Sequence, residues 1–189
     1  MTWQSQEEAS PSTPDEALMA LVARREKDAF TVLVRRHQDG LVNFFGKMGD
    51  YSAAEDLAQQ TFVRLFRYRK KYRPTAKFTT FLYVLARRVW IDHCRALGRR
   101  KKAYESLSEE AELRRPAGTD ALENAKGRVS EALNGLTDEM RTVVVMSIYQ
   151  GFKYREIADV LGIPVGTVKT RMFHALRKLR EALTDEDAT

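Results

Sequence analysis

The sequence predicts an all-α fold made of two small helical domains joined by a flexible linker. Apolar residues recur three or four positions apart through residues 15–102 and 125–183, and no segment alternates with period two. Between these regions, residues 103–124 carry six acids and two arginines with little periodicity, as expected of a linker. The 189 residues are enough for two small cores.

Both ends of the chain have a different composition. Residues 1–14 are polar and contain Pro11 and Pro14, so we expect a disordered lead-in. Residues 184–189 form an acidic tail. We place the first domain at 15–102 and the second at 125–183.

The net positive charge of the chain favours an acidic partner such as nucleic acid. Lys and Arg total 32 against 26 for Asp and Glu, a net charge of +6. Cys94 is the one cysteine and cannot form an intrachain disulfide, which favours a reducing compartment. The longest apolar run is seven residues, too short to span a bilayer. We therefore expect a cytoplasmic protein with no membrane insertion.

Known catalytic and metal-binding motifs do not occur in the sequence. His37, His93 and His174 lie far apart, and the sequence has no HExxH, CxxC or glycine-rich phosphate loop. We find no carboxylate cluster and no nucleophile beside a base. We therefore expect no enzymatic activity, no metal and no cofactor.

A helix with two distinct faces is predicted after Ser52. Ser52 and Glu55 have the spacing of a capping box. A core stripe follows at Ala54, Leu57, Ala58, Thr61, Phe62, Leu65 and Phe66. A second stripe comprises Asp56, Gln59, Gln60, Val63 and Arg67. This second stripe is either a solvated surface or a binding face.

Basic residues are frequent from residue 64 to residue 102, and aromatic residues are interleaved among them as far as Trp90. Phe66, Phe78 and Phe81 fall on core stripes, whereas Tyr72, Tyr83 and Trp90 do not. Basic side chains neutralise phosphates, and aromatic rings stack on unpaired bases. The pattern favours binding of single-stranded or opened DNA, with these three off-core aromatics as the stacking candidates.

The C-terminal region predicts a helix-turn-helix. A short amphipathic helix over 154–161 ends at Gly162, Pro164 lies in the turn, and a second helix follows. The second helix has an apolar face and an outer face of hydrogen-bond donors: Thr167, Thr170, Arg171, His174, Arg177 and Lys178. An ordinary helical hairpin would mix both charges on its outer face, so we favour DNA reading.

These residues resemble the extracytoplasmic-function (ECF) sigma factors of bacterial RNA polymerase, within the sigma-70 family. The resemblance covers residues 15–183 and is carried by four strings in order. They are AEDLAQQTF at 54–62, FTTFLYVLAR at 78–87, IDH at 91–93 and EIADVLGIPVGTVKTR at 156–171.

The resemblance implies a promoter-specificity subunit with three binding surfaces. Core polymerase would be bound through the clamp of its largest subunit by Glu55, Asp56, Gln59, Gln60 and Val63. The −10 element would be melted and held by Lys71, Tyr72, Arg73, Lys77, Thr80, Tyr83, Arg87, Arg88, Trp90, Arg95 and Arg99. The −35 element would be read by Arg155, Thr167, Lys169, Thr170, Arg171, Phe173, His174 and Arg177.

Further partners are implied in the same way. These are the flap of the second-largest polymerase subunit and an anti-sigma factor, and the regulon would respond to stress or another signal. The acidic linker would enter the polymerase channels as a nucleic-acid mimic, or serve as a solvated tether.

Five positions depart from the family pattern. Gln60 in place of Glu removes one charge from the clamp contact, and Phe81 in place of Trp removes an indole donor. Arg88 in place of Asn leaves the −10 preference open, and His174 and Leu176 in place of Arg leave the −35 preference open. A second hypothesis is a stand-alone repressor or activator, which the helix-turn-helix alone does not exclude. The basic-aromatic strip favours the sigma factor, because a repressor does not need melted DNA.

Overall fold

The structure is a computed structural model that describes residues 10, 12–105 and 121–184, with side chains for 10, 12–99 and 127–184. The predictions for residues 1–9 and 11, for the middle of the linker and for 185–189 lie outside this range. Within it, helices α4 and α5 continue three and four residues into the two ends of the predicted linker.

The described residues form eight α-helices and one π-helical turn, with no strand among them, so the all-α prediction is confirmed. The N-terminal half contains α1 (Asp15–Ala23), α2 (Lys27–Met48), α3 (Ala54–Tyr68) and α4 (Phe78–Glu105). The C-terminal half contains α5 (Ala121–Asn134), α6 (Asp138–Val144), the π turn (Val145–Tyr149), α7 (Tyr154–Leu161) and α8 (Val165–Thr184).

The core of the N-terminal half lies between α2, α3 and α4. Leu33, Phe44, Leu57, Leu82 and Leu85 are almost fully buried there. The predicted stripe of α3 is buried from position 54 to position 65. At its last position Phe66 is 39% exposed and packs edge-on against Phe30, with ring centroids 5.3 Å apart.

The capping box predicted at the start of α3 is wrong. The helix begins at Ala54, and no side chain caps it from its N-cap position, Ala53. Instead Asp50 accepts hydrogen bonds from the Ser52 hydroxyl (2.8 Å) and the Ala53 N–H (3.0 Å). The serine is thus a donor to an Asp turn, a competing local pattern that the same short polar residues allow.

The C-terminal half forms the predicted helix-turn-helix. Gly162 ends α7 in the left-handed region with φ of +65°, a conformation that glycine adopts without strain. Ile157, Ala158, Val168, Met172 and Ala175 are buried between α7 and α8.

The two halves pack directly against each other. Helix α4 contacts α7, while α2 contacts the π turn, α5 and α6. Buried apolar residues of both halves form one continuous cluster. No helix of the described residues has the length and apolar character needed to cross a membrane.

Asp50 should contribute more to stability than Ser52. Asp50 also pairs with His93 (Nε2 to Oδ2, 2.8 Å), which ties the start of α3 to α4. We expect Asp50→Ala to lower the free energy of unfolding by about 0.5–2 kcal/mol, the usual cost of a lost cap. Ser52→Ala should change it by less. Chemical denaturation of both variants measures the difference, and equal losses would contradict the role of Asp50 as the shared acceptor for Ser52, Ala53 and His93.

The same contribution should depend on pH. Burial alone would raise the pKa of Asp50, but the hydrogen bonds from Ser52, Ala53 and His93 outweigh it and leave this pKa below its ordinary 3.8. A lowered pKa means stabilisation that is present above pH 3.8 and lost as the pH falls through the lowered value. The difference between the wild type and Asp50→Ala should therefore shrink on acidification.

Candidate nucleic-acid interface

The second stripe of α3 is a solvent-exposed face of the N-terminal half. Asp56, Gln59, Gln60 and Val63 are exposed and line a shallow groove together with Arg64 and Arg67. Val63 is 49% exposed although it is apolar. Glu55 and Gln59 border a neighbouring groove between α2 and α3. The structure thus brings together all five residues predicted to bind core polymerase.

The segment between α3 and α4 exposes a cluster of cations. Lys70, Lys71, Arg73 and Lys77 are exposed, and Arg69 lies over the Phe66 ring at 4.0 Å from its centroid. The positive charge of this segment would attract it to the negatively charged phosphate backbone of a nucleic acid.

The ring of Tyr72 packs against other aromatic rings of the chain, so it is not free to stack on a base. Its ring contacts those of Phe78 and Phe81, with centroids 6.3 and 5.1 Å away, and it is half-buried. Burial, with the charges of Glu16 and Asp15, raises the pKa of Tyr72 to about 12. The phenol therefore stays neutral at physiological pH.

Tyr83 lies in the buried surface between the two halves, contrary to the prediction that it lies off the core. It is 5% exposed, and its hydroxyl donates to Gln150 Oε1 at 2.5 Å. The ring packs edge-on between Phe44 and Phe152, at 5.4 and 4.8 Å. Burial raises the pKa of its phenol far above the ordinary value.

Trp90 is buried in the same way, and its predicted exposure is also wrong. The indole Nε1 donates to Asp138 Oδ1 at 2.6 Å, and Arg87 Nη2 lies 2.9 Å from the other carboxylate oxygen. Thr80, another predicted −10 residue, is buried as well. For Tyr83 and Trp90 the physical reason is that Phe152, Gln150 and Asp138 of the C-terminal half complete the cover that Phe44 and Phe45 of their own half begin.

Two further polar contacts join the halves. Lys77 Nζ pairs with Glu156 Oε1 at 2.6 Å, and this bond is the largest cause of the lowered pKa of Glu156. Arg141 donates through Nη1 to the Met48 carbonyl at 2.5 Å, while its Nε and Nη2 bind the carbonyls of Leu133 and Asn134, both at 2.8 Å. One guanidinium thus satisfies carbonyls at the C-terminal ends of α2 and α5.

The remaining predicted −10 residues are exposed. Arg88, Arg95 and Arg99 project from α4 into solvent. They leave a basic surface at the side of α4 while the aromatic residues are covered.

The outer face of α8 is accessible along its length. Lys169, Thr170, Phe173 and Arg177 are exposed, and Thr167, Arg171 and His174 are partly exposed. Phe173 is 65% exposed and contacts the His174 ring at 5.5 Å. Arg155, on α7, is exposed too. The helix-turn-helix therefore presents the predicted −35 residues to solvent.

Sequence reasoning missed Asp138, Gln150 and Arg141. Each pairs with a residue 48 to 93 positions away, and one sequence carries no signal for such pairs. The one local clue is the run of apolar residues before Gln150, which becomes a π turn closed by a bond from the Gln150 N–H to the Val145 carbonyl (3.2 Å).

Comparisons with known proteins agree with this architecture. Residues 33–100 match the family described as Sigma-70 region 2, and residues 126–179 match Sigma-70, region 4. Together these matches cover most of the chain in the order of the family. The chain belongs to the ECF branch of the sigma-70 family.

Several relatives span almost the whole length of this sigma factor. It is 28% identical to the RNA polymerase sigma-H factor of Pseudomonas aeruginosa, over 89% of this chain and 93% of the relative. It is 26% identical to the ECF RNA polymerase sigma-E factor of Escherichia coli K12, over 94% and 96%. The solved structure of CnrH in complex with the cytosolic domain of CnrY matches with a TM-score of 0.71 and 28% identity, over 92% of this chain and 98% of that one.

The family fixes the general activity. The chain is a promoter-recognising sigma factor that acts with core RNA polymerase in transcription initiation.

The fluorescence of Trp90 should show directly that this side chain is buried between the halves. In a Trp3→Phe background, we expect Trp90 fluorescence to be blue-shifted and weakly quenched by acrylamide, because the indole is 5% exposed. Asp138→Ala removes the acceptor of its N–H and should increase quenching. A wild-type indole that is quenched like free tryptophan would contradict the buried position.

Proposed function

We propose that this sigma factor works through three separate surfaces, in the cytoplasm and without catalysis of its own. The exposed face of α3 binds core polymerase, the segment 69–77 with α4 melts and holds the −10 element, and the outer face of α8 reads the −35 element. The observation that carries the proposal is the exposed, donor-rich face of α8 within the region 4 match.

The assignment of the α3 face to core polymerase is supported by the exposure of its side chains. The face of α3 presents two carboxylates, two amides and an exposed valine, side chains suited to a polar contact around an apolar centre. Gln60 makes this contact one charge weaker than the usual family pattern. The flap of the second-largest subunit would bind the C-terminal half.

We also propose control by an anti-sigma factor and a regulon that responds to a signal. The solved relative CnrH is in a complex with the cytosolic domain of another protein, CnrY. A similar arrangement would place a partner protein on this chain before polymerase binds.

Run-off transcription with purified core polymerase on a promoter library tests the proposed function. Asp56→Arg with Gln59→Ala should lower affinity for core and reduce transcripts, because the exposed carboxylate is reversed in charge while α3 keeps its buried stripe. Asp39→Arg, on an exposed position of α2, is the matched charge reversal and should bind core as the wild type does. Unchanged core affinity of the α3 variant, with helicity intact by circular dichroism, would contradict the assignment.

The −35 residues should differ in how they affect specificity. Arg171 can bind guanine O6 and N7 with two hydrogen bonds, a pair that discriminates by about 1–3 kcal/mol. We expect Arg171→Ala to lower activity and relax the preference at one position. His174 lacks the guanidinium fork, so His174→Arg should alter or strengthen another preference. Selection from a randomised −35 library with each variant measures this, and identical preferences for all three proteins would show that α8 does not read bases.

A further inference from the structure

Tyr68, the last residue of α3, has an exposed aromatic ring. The residue is 41% exposed, and no ring or cation of the described part of the chain packs against its ring. The neighbouring exposed ring, Phe66, has its face covered by Arg69 at 4.0 Å and packs edge-on against Phe30 at 5.3 Å. Of the two rings in this turn, that of Tyr68 is therefore the one with a face free to stack on another group.

The backbone under this ring is held in one position. The Tyr68 carbonyl accepts hydrogen bonds from the N–H groups of Lys71 (2.8 Å) and Tyr72 (3.0 Å). The Tyr72 ring packs in turn against Phe81, with centroids 5.1 Å apart. A ring on fixed backbone binds a flat ligand without a large loss of chain entropy. Tyr68 is thus an exposed ring on a rigid turn, at the start of segment 69–77.

The ring lies on the side of α3 that faces α4. Arg64 precedes Tyr68 by one helical turn, and its Nη2 binds Asp92 Oδ2 of α4 at 2.8 Å. On α4, the exposed Arg88 precedes Asp92 by one turn. Because residues 69–77 join the end of α3 to the start of α4, Tyr68 and Arg88 both lie on the side of this ion pair that is nearer to the joining segment. An exposed ring and an exposed guanidinium therefore border the same surface.

The surroundings of this ring are strongly basic. No acid occurs between residues 61 and 77. Lys70, Lys71 and Arg73 are exposed, and none of them forms an ion pair within the residues that the structure describes. An acidic peptide would use these cations but would leave an aromatic ring outside any apolar pocket without a partner. A single DNA strand offers phosphates to the cations and the flat face of a base to the ring.

We propose that Tyr68 is a stacking platform for one unpaired base of an opened DNA strand, and that Lys70, Lys71 and Arg88 hold the phosphates beside it. This proposal rests on the proposed function, in which segment 69–77 with α4 holds the −10 element. It gives the stacking contact to a ring that is exposed, whereas the three aromatic residues predicted to stack are packed against other rings. Every base has a flat face, so the contact selects an unpaired base and not one base type.

Four variants separate stacking from charge and from folding. Tyr68→Leu removes the aromatic face but keeps an apolar side chain, and Tyr68→Phe keeps the ring. Tyr51→Leu is the matched control, because Tyr51 is 60% exposed and lies before the opposite end of α3. Lys71→Ala removes a phosphate contact and leaves the ring in place. Circular dichroism and chemical denaturation of each full-length variant show whether the fold is intact.

Two labelled single strands serve as probes, each of about 12 nucleotides, a length within the range bound by one small domain. One is oligo-dT, and the other has the same phosphates with every base replaced by an abasic tetrahydrofuran unit. Fluorescence anisotropy at low ionic strength measures binding of each strand to the full chain. Repeating the titrations at several salt concentrations gives the slope of log affinity against log salt, which counts phosphate contacts.

We expect Tyr68→Leu to bind oligo-dT about tenfold more weakly than the wild type, as for the loss of one stacked base, and to bind the abasic strand unchanged. Tyr68→Phe and Tyr51→Leu should bind both strands as the wild type does. Lys71→Ala should weaken binding to both strands and reduce the salt slope by about 0.7. A Tyr68→Leu variant that loses equally on both strands, or on neither, would refute stacking, as would a wild type that does not prefer oligo-dT to the abasic strand.

Transcription with core polymerase separates this proposal from the proposed function. A wild type that directs no transcription from any promoter of the library would overturn the −10 role and the assignment of the stacked base to the −10 strand. If the wild type is active, Tyr68→Leu should shorten the lifetime of open complexes under heparin challenge, and Tyr68→Phe should restore it. An unchanged lifetime for Tyr68→Leu would refute the platform while the proposed function stands.

Discussion

The structure depends on α4, which packs into the core of the N-terminal half with one side and against the C-terminal half with the other. One side of this helix supplies Leu82, Leu85, Ala86 and Val89 to the core of the N-terminal half. The other side carries a tyrosine, an arginine and a tryptophan that need hydrogen-bond acceptors if water is excluded. The C-terminal half provides both the cover and the acceptors. The position of the helix-turn-helix against α4 follows from this requirement.

The helical pattern of each half was predictable because it depends on local periodicity. The stripes of α3, α4, α7 and α8 face the interior as spacing alone indicates. The start of α3 was not predictable, because Ser52 and Asp50 are both plausible capping residues and their neighbours decide between them. Phe66 ends its stripe at the surface, where the next turn no longer lies over the core.

The exposure of the proposed binding residues was predicted unevenly. The α3 face and the outer face of α8 are exposed or partly exposed, as helical spacing indicates, because their polar residues lie opposite the buried stripes. Tyr83 and Trp90 were placed at the surface because they lie off the stripe of their own half. Phe44 and Phe45 of their own half cover one part of each ring, and the C-terminal half covers the rest. Helical periodicity carries no information about contacts between the two halves.

Arg141 has a consequence for how the chain unfolds. Its guanidinium holds the Met48 carbonyl at the end of α2 and the Leu133 and Asn134 carbonyls at the end of α5. Gly49 makes room for it, since a Cβ there would lie 2.5 Å from Arg141 Nη1. Fraying of either helix end releases bonds that also stabilise the other, so the last turns of α2 and α5 belong to one cooperative unit. The two halves therefore share part of their folding free energy, as the continuous apolar cluster that joins them also indicates.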